Sequence, residues 1–239
     1  EEAAHPAGNV ANPSTALRWR AAPGSPADDQ YLTISIDYVD EIDYIAIAGH
    51  NLGSAQIPVS IEGATQEIGS PPVPDWTQLI ADSIRVDDSP IIFRFSPQSL
   101  AQIRIRMQPG NAAPSIAVVH VGKLLVCERG TGADHTPINL GRQANVMTGR
   151  SENGKFLGRI VLGETRSTAF SLQHMRASWY RTKMDPFLAA AQAEPFFFAW
   201  RPEAFPGDVG YCWLTSDPRP QVSFDTGRIS VELQMGGAV

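Results

Sequence analysis

The side chains able to do chemistry in this sequence are few and scattered. Its five histidines, His5, His50, His120, His135 and His174, never fall at the i, i+4 spacing that would put two imidazoles on one helical face for a metal. His120 sits inside "IAVVHVGKLL", where an imidazole is expected to be satisfied by hydrogen bonds rather than by a ligand. Cys127 and Cys212 lack C-x-x-C or Cys/His spacing and read as two buried free thiols. The acidic pairs Asp28-Asp29 and Asp87-Asp88 could offer oxygens to calcium, but read more simply as solvated turn residues. No G-x-S-x-G elbow, Walker loop or G-x-G-x-x-G follows a strand, and no pair of carboxylates can be nominated for glycoside hydrolysis. The chain therefore reads as a non-enzyme, with no catalytic residue, cofactor or metal site assigned.

Two further places invite a ligand reading. In "IAIAGHNLGSA", His50 and Asn51 follow an apolar run and are bracketed by Gly49 and Gly53. Asparagine tolerates the left-handed conformation and bonds its own backbone in turns. His50 and Asn51 are thus expected to end a strand at 45–47 and fix the next turn, Asn51 through backbone geometry, rather than grip a ligand. Trp76, after the proline-rich "GSPPVPD", could stack on the C–H face of a pyranose. The area an indole prefers to bury favours a loop tryptophan folded back on its own sheet, in a loop stiffened by Pro71, Pro72 and Pro74.

The elements that must carry these residues are mostly strands. "YLTISIDY" and "AQIRIRMQ" alternate apolar and polar residues, as half-buried strands do. Between them "DYIAIAG", "IPVSIEG" and "IIFRFS" are short and bounded by turn-forming residues. Many short strands with frequent turns predict a β-sandwich. The segment "RGTGADHTPINLGRQ" has no periodicity, so a domain boundary is placed near Arg129, giving domains 1–128 and 129–239. Beyond it, "KFLGRIVLG" and "TAFSLQHM" read as strands. Trp179, Tyr180, Met184, Phe187 and Leu188 then recur at helical spacing, predicting one helix near 176–193 that Pro186 interrupts or restarts. "PFFFAWRP", "GYCWLTS", "PQVSFD" and "GRISVELQM" return to strands.

Composition removes other classes. A formal charge of −6 with pI near 5.3 argues against nucleic acid, which is held by a concentrated basic surface. No apolar stretch reaches the ~20 residues of a membrane-spanning helix. The opening residues, "EEAAHPAGNVANPS", lack a basic-then-apolar pattern, so no cleaved export leader is expected. Charged residues make up 18%, below the roughly 25% typical of globular domains, as suits a subunit that buries surface in an assembly.

The N-terminal half, through "NPSTALRWR", "YLTISIDYVDEIDYIAIAGHNLGSAQIPVSIEG", "DWTQL" and "LAQIRIRM", resembles the discoidin-like, galactose-binding-like jelly rolls over about 9–125. The C-terminal half, through "GKFLGRIVLGETRSTAFSLQHM", "ASWYRTKMDPFLAAAQAEPFFFAWRP" and "GRISVELQM", is similar to the ring-forming domain of distal tail proteins of long-tailed bacteriophages. The resemblances imply a mainly β protein, a jelly-roll β-sandwich followed by a β-sandwich with one flanking α-helix. They also imply a structural subunit of a phage tail tip or baseplate, located in the virion and assembled in the bacterial host cytoplasm. Its partners would be itself, in a homo-oligomeric ring favoured as a hexamer, and the tail tube and hub proteins. The alternative is a carbohydrate-binding module of the host-recognition apparatus, with a cell-surface glycan as partner. Because "RISVELQM" looks like an edge that must be covered, Ile229, Val231, Leu233 and Met235 are expected near the oligomer interface or packed beneath it.

Overall fold

Alternation of apolar and polar residues translates into paired strands along most of the chain. The computed structural model describes residues 2–22, 28–37, 40–68, 73–131 and 135–238; Pro71 and Pro72 lie outside them. The protein is mainly β and divides into two units, Glu1–Leu124 and Leu125–Val239.

In the first unit a 3-10 turn (Ala7–Ala11) precedes β1 (Trp19–Arg20), β2 (Gln30–Ser35), β3 (Ile42–Ala48), β4 (Pro58–Ile68) and β5 (Val73–Ile84). β6 (Ile91–Gln98), β7 (Gln102–Met107), β8 (Ser115–Ile116) and β9 (Val118–Gly122) complete it. One sheet has the order β2-β7-β4-β5, a second β6-β3-β9, and β1 pairs with β8. In β7, Ile103, Ile105 and Met107 point inward, whereas Gln102, Arg104 and Arg106 turn outward, the period of two that a strand imposes. Leu32, Ile61 and Ile105 of the first sheet meet Ile45, Ile47, Ile91 and Phe93 of the second in one core. Each such side chain contributes about 1.5–3 kcal/mol relative to exposure.

The second unit contains β10 (Arg142–Arg150), β11 (Phe156–Met175), β12 (Phe196–Ala199), β13 (Val209–Leu214), β14 (Gln221–Val222) and β15 (Ile229–Ala238). They form one sheet of order β10-β11-β15-β13-β12, with β14 also on β15. The two stretches read as separate strands, "KFLGRIVLG" and "TAFSLQHM", are one 20-residue strand. The helix begins as α1 (Ala177–Trp179), widens into a π-helical turn (Tyr180–Met184) and continues as α2 (Asp185–Ala191). Pro186 therefore does not break it. The widened turn lies just before the ring, which has no N–H to give and would crowd a regular preceding turn. Tyr180, Met184 and Leu188 pack on Phe170, Leu172, Val231 and Leu233 of the sheet.

Two expectations change here. β15 lies inside the sheet: β11 lines one side, and on the other β13 pairs with 235–238 and β14 with 229–230. Alternation specifies a strand with one buried face, and says nothing about its place in the sheet. The segment read as a patternless connection is also partly core. Ile138 is buried among the second unit's apolar residues; Leu125 and Cys127, which precede that segment and fall within the domain expected to end at 128, also pack against them.

Candidate functional site

The His50 corner is built from three loops tied by side chains. His50 is buried, with Nε2 2.9 Å from the Ser89 carbonyl oxygen, while the Leu52 amide donates to Nδ1 at 3.3 Å. The donation from Leu52 makes Nδ1 the acceptor, so Nε2 carries the proton and donates to Ser89. Asn51 donates from Nδ2 to the Ala113 carbonyl (2.9 Å) and accepts at Oδ1 from the Ser115 amide (2.8 Å). Asn51 thus acts through its side chain across the fold, and not through left-handed backbone geometry of its own; the positive φ in this corner belongs to Gly49, at +64°, and Gln56, at +52°. Gly53 is required for a different reason: any Cβ there would overlap the Asp87 carbonyl.

Asp29, Asp87 and Asp88 of the acidic pairs have structural partners. Asp88 Oδ1 accepts from the amides of Gly53 and Ser54, both at 2.9 Å, and Asp87 accepts from the Ser89 amide at 3.1 Å. Partial burial of Asp88 works upward, yet its bonds with Ser54 and Gly53 and the nearby His50 hold its carboxyl below the usual range. Burial drives the His50 pKa down, outweighing the Ser89 carbonyl and Asp88. Asp29 pairs with Arg106 at 2.7 Å. Among the described residues no group of three or more His, Cys, Asp or Glu is arranged to hold a metal.

The outward face of the β2-β7-β4-β5 sheet carries a cluster of polar and aromatic side chains. Trp76 is in β5, opposite Ala64 of β4, not in a loop. Its ring lies 4.1 Å from the Arg104 guanidinium carbon, and the Tyr31 ring lies 4.4 Å from the same atom. Such spacing is within cation–π range. Arg104 Nε also donates to Glu62 at 2.5 Å, and Arg106 lies 3.9 Å from the other Glu62 oxygen. The guanidinium thus lies over a face of each of the two rings, and Tyr31 is 45% exposed. Sequence order hid this cluster, because residues 31, 62, 76 and 104 meet only through sheet register. Two clefts of about 290 Å³ each also open on this unit, at the lower bound for enclosing a drug-sized ligand.

In the second unit, Ile229, Val231, Leu233 and Met235 are all buried and pack beneath the sheet in its core. Cys212 is buried and Cys127 half-buried, both unpaired; burial pushes the Cys212 thiol up to about 12 and raises that of Cys127. Neither environment activates a thiolate. His135 stands edge-on to Phe170 and Phe198, with ring centres 5.5 and 6.0 Å away, and burial lowers its pKa. Against this packed core, the paired segment of 142–166 exposes a row of large apolar side chains, including Met147, Phe156 and Ile160.

No protein-family model matches the sequence, and no curated protein matches it. Among solved structures, the chain is similar to chitosan-binding module 1 of a chitosanase/glucanase from Paenibacillus sp. IK-5. That match has a TM-score of 0.42 and 16% identity, over 51% of this chain and 87% of that one. An F5/8 type C domain of a Bacteroides fragilis protein matches with a TM-score of 0.42 and 10% identity, over 52% and 84% of the two chains. The module CBM32-3 of a family 31 glycoside hydrolase from Clostridium perfringens matches with a TM-score of 0.41 and 16% identity, over 52% and 86%.

Proposed function

We propose that the protein is a non-enzymatic binding protein whose first unit holds carbohydrate on the outward face of the β2-β7-β4-β5 sheet. The observation that carries this is the Tyr31–Arg104–Trp76 grouping with Glu62 beside it. Aromatic faces accept the C–H side of a sugar ring, and a guanidinium and carboxylate fixed against each other supply directional donors and acceptors for hydroxyls. Residues 1–124 carry seven Lys and Arg against fourteen Asp and Glu, a net −7, which repels polyanionic chains at low salt. A neutral or cationic glycan is the class that fits. Glycan-array binding of the full chain, compared with Tyr31→Ala and Trp76→Ala, is the test. Retention of a neutral or amino sugar that both variants lose without a change in melting supports the reading; absence of any glycan binding ends it.

A second reading, a structural subunit of a phage tail tip, is favoured by the exposed apolar segment of the second unit. A shared assembly interface would account for such a surface. Native mass spectrometry of the full chain, alone and with tail-tube protein, tests it: a persistent monomer in both conditions would remove it.

A further inference from the structure

Among the described residues, 142–166 form a two-stranded ribbon. β10 pairs with β11 from Arg150–Phe156 back to Arg142–Arg166, and β15 joins β11 only from Arg166 onward. Two-stranded ribbons are marginal in water unless something covers them. This one is apolar on both faces. The cross-strand pairs Val146–Val161 and Met147–Ile160 are adjacent in register and so face opposite ways. Register shifts leave Leu157 and Leu162 as the extra residues of two bulges. Met147, Phe156, Leu157, Ile160, Val161 and Leu162 are 56–68% exposed.

Charge selects the occupant. The ribbon holds five Lys and Arg against two Glu, a net +3, while the remaining sequence holds fourteen against twenty-three, a net −9, within the total of −6. A basic arm and an acidic body in one chain are complementary between copies. Two β10 edges pairing antiparallel about Val146 would set Arg142 opposite the second copy's Arg150 at both ends, and like charges placed directly opposite destabilise a sheet. The charge difference favours an arm-to-body contact, heterologous and repeated from copy to copy. A lipid surface fits less well, because an interfacial anchor has one apolar face and one polar face, and the acidic body would be repelled by anionic headgroups.

We propose that the 142–166 ribbon is a self-association arm that docks on the acidic body of a second copy of this chain. This rests on the assembly reading, and it moves the contact from the terminal strand to the ribbon.

Sedimentation velocity and native mass spectrometry of the full chain at micromolar concentration, at low and high salt, test it with two exposed-site variants. The Ile160→Ser/Leu162→Ser double variant should weaken self-association about 100-fold. Arg159→Glu should weaken it about 10-fold and reduce its salt dependence. Below the concentration at which copies associate, melting temperatures should change little in both, since neither site packs in a core. A wild-type chain that stays monomeric alone would overturn the arm, and one that stays monomeric with tail-tube protein as well would also remove the assembly reading. An oligomer left intact by every arm variant would overturn the arm alone. Binding of the monomer to vesicles of phosphatidylcholine and phosphatidylglycerol, lost in the double variant, would reassign the ribbon to a lipid surface and also overturn the inference.

Discussion

β7 and the first half of β11 are built from the same residue types and end in opposite environments. In "QIRIRM", Ile105 is 0% exposed; in "GRIVLG", Ile160 is 58% exposed. Both strands carry arginines beside branched aliphatics, and both pair antiparallel. The difference lies in what surrounds them. β7 has a strand on each side and a second sheet facing its apolar side, whereas among the described residues the distal part of β11 pairs with β10 alone. Branched aliphatics thus make a strand, and the layer stacked on it decides whether they stabilise the chain or await a partner.

The largest effect should come from breaking the buried side of this contrast. Ile105→Ser replaces a fully buried side chain with a smaller one carrying a hydroxyl, adding a cavity to a desolvated polar group. A loss of about 4 kcal/mol is expected, read by urea denaturation as a lower midpoint at unchanged slope. A loss below about 1 kcal/mol would mean that the sandwich core is loosely packed at β7.

Asn51→Ala comes next. Two backbone groups, the Ala113 carbonyl and the Ser115 amide, would lose their side-chain partner, at about 2–3 kcal/mol for the pair. Asn51→Asp discriminates further, because a carboxylate can still accept from the Ser115 amide but can no longer donate to Ala113. Equal losses in both variants would mean that the donation to Ala113 carries the contribution of Asn51 and the bond from Ser115 adds little; a loss below about 0.5 kcal/mol in both would place the weight of the corner on the Ser89–His50–Leu52 contacts instead.

A smaller effect is expected from pH. The folded protein keeps His50 neutral, since burial lowers its pKa and Nδ1 is occupied as an acceptor; Asp88, 4.0 Å from Nδ1, opposes this without reversing it. In the unfolded chain the imidazole takes up its proton near pH 6.5. The native state then binds fewer protons, so the stabilisation is present above about pH 6.5 and is lost as pH falls through the folded pKa. Denaturation at about pH 7.5, 6 and 5 should show this loss, with a shallower slope in His50→Gln. An unchanged slope would assign the dependence to His135, whose pKa burial also lowers.

The strands, the helix stripe and the position of His50 at a strand end were legible because periodicity and turn chemistry are local. The Trp76 stack on Arg104, the reach of Asn51 to Ala113 and Ser115, and the internal place of β15 depend on register between distant strands, which leaves no local trace. Ile138 was hidden for a related reason: one apolar residue among glycines and polar neighbours makes no pattern, and only the packing around it identifies it as core. The ribbon failed differently. Only its second strand was legible, in "KFLGRIVLG"; β10 begins inside the segment read as patternless and shows no clean alternation, and alternation says nothing of how many strands lie alongside.

The smallest effect is the sharpest test of that last point. Ile160→Ser, the same exchange as at Ile105, removes apolar area that is already in water and breaks no backbone pairing with Met147. Monomer stability should change by no more than about 0.5 kcal/mol. Serine forms strands somewhat less readily than isoleucine, so a few tenths of a kcal/mol toward destabilisation are within expectation. Measured below the concentration at which copies associate, equal melting of Ile160→Ser and wild type would show that the ribbon's side chains do not help to hold the monomer together. A loss approaching that of Ile105→Ser would mean that the ribbon folds back onto the chain in solution, and the contrast between the two strands would disappear.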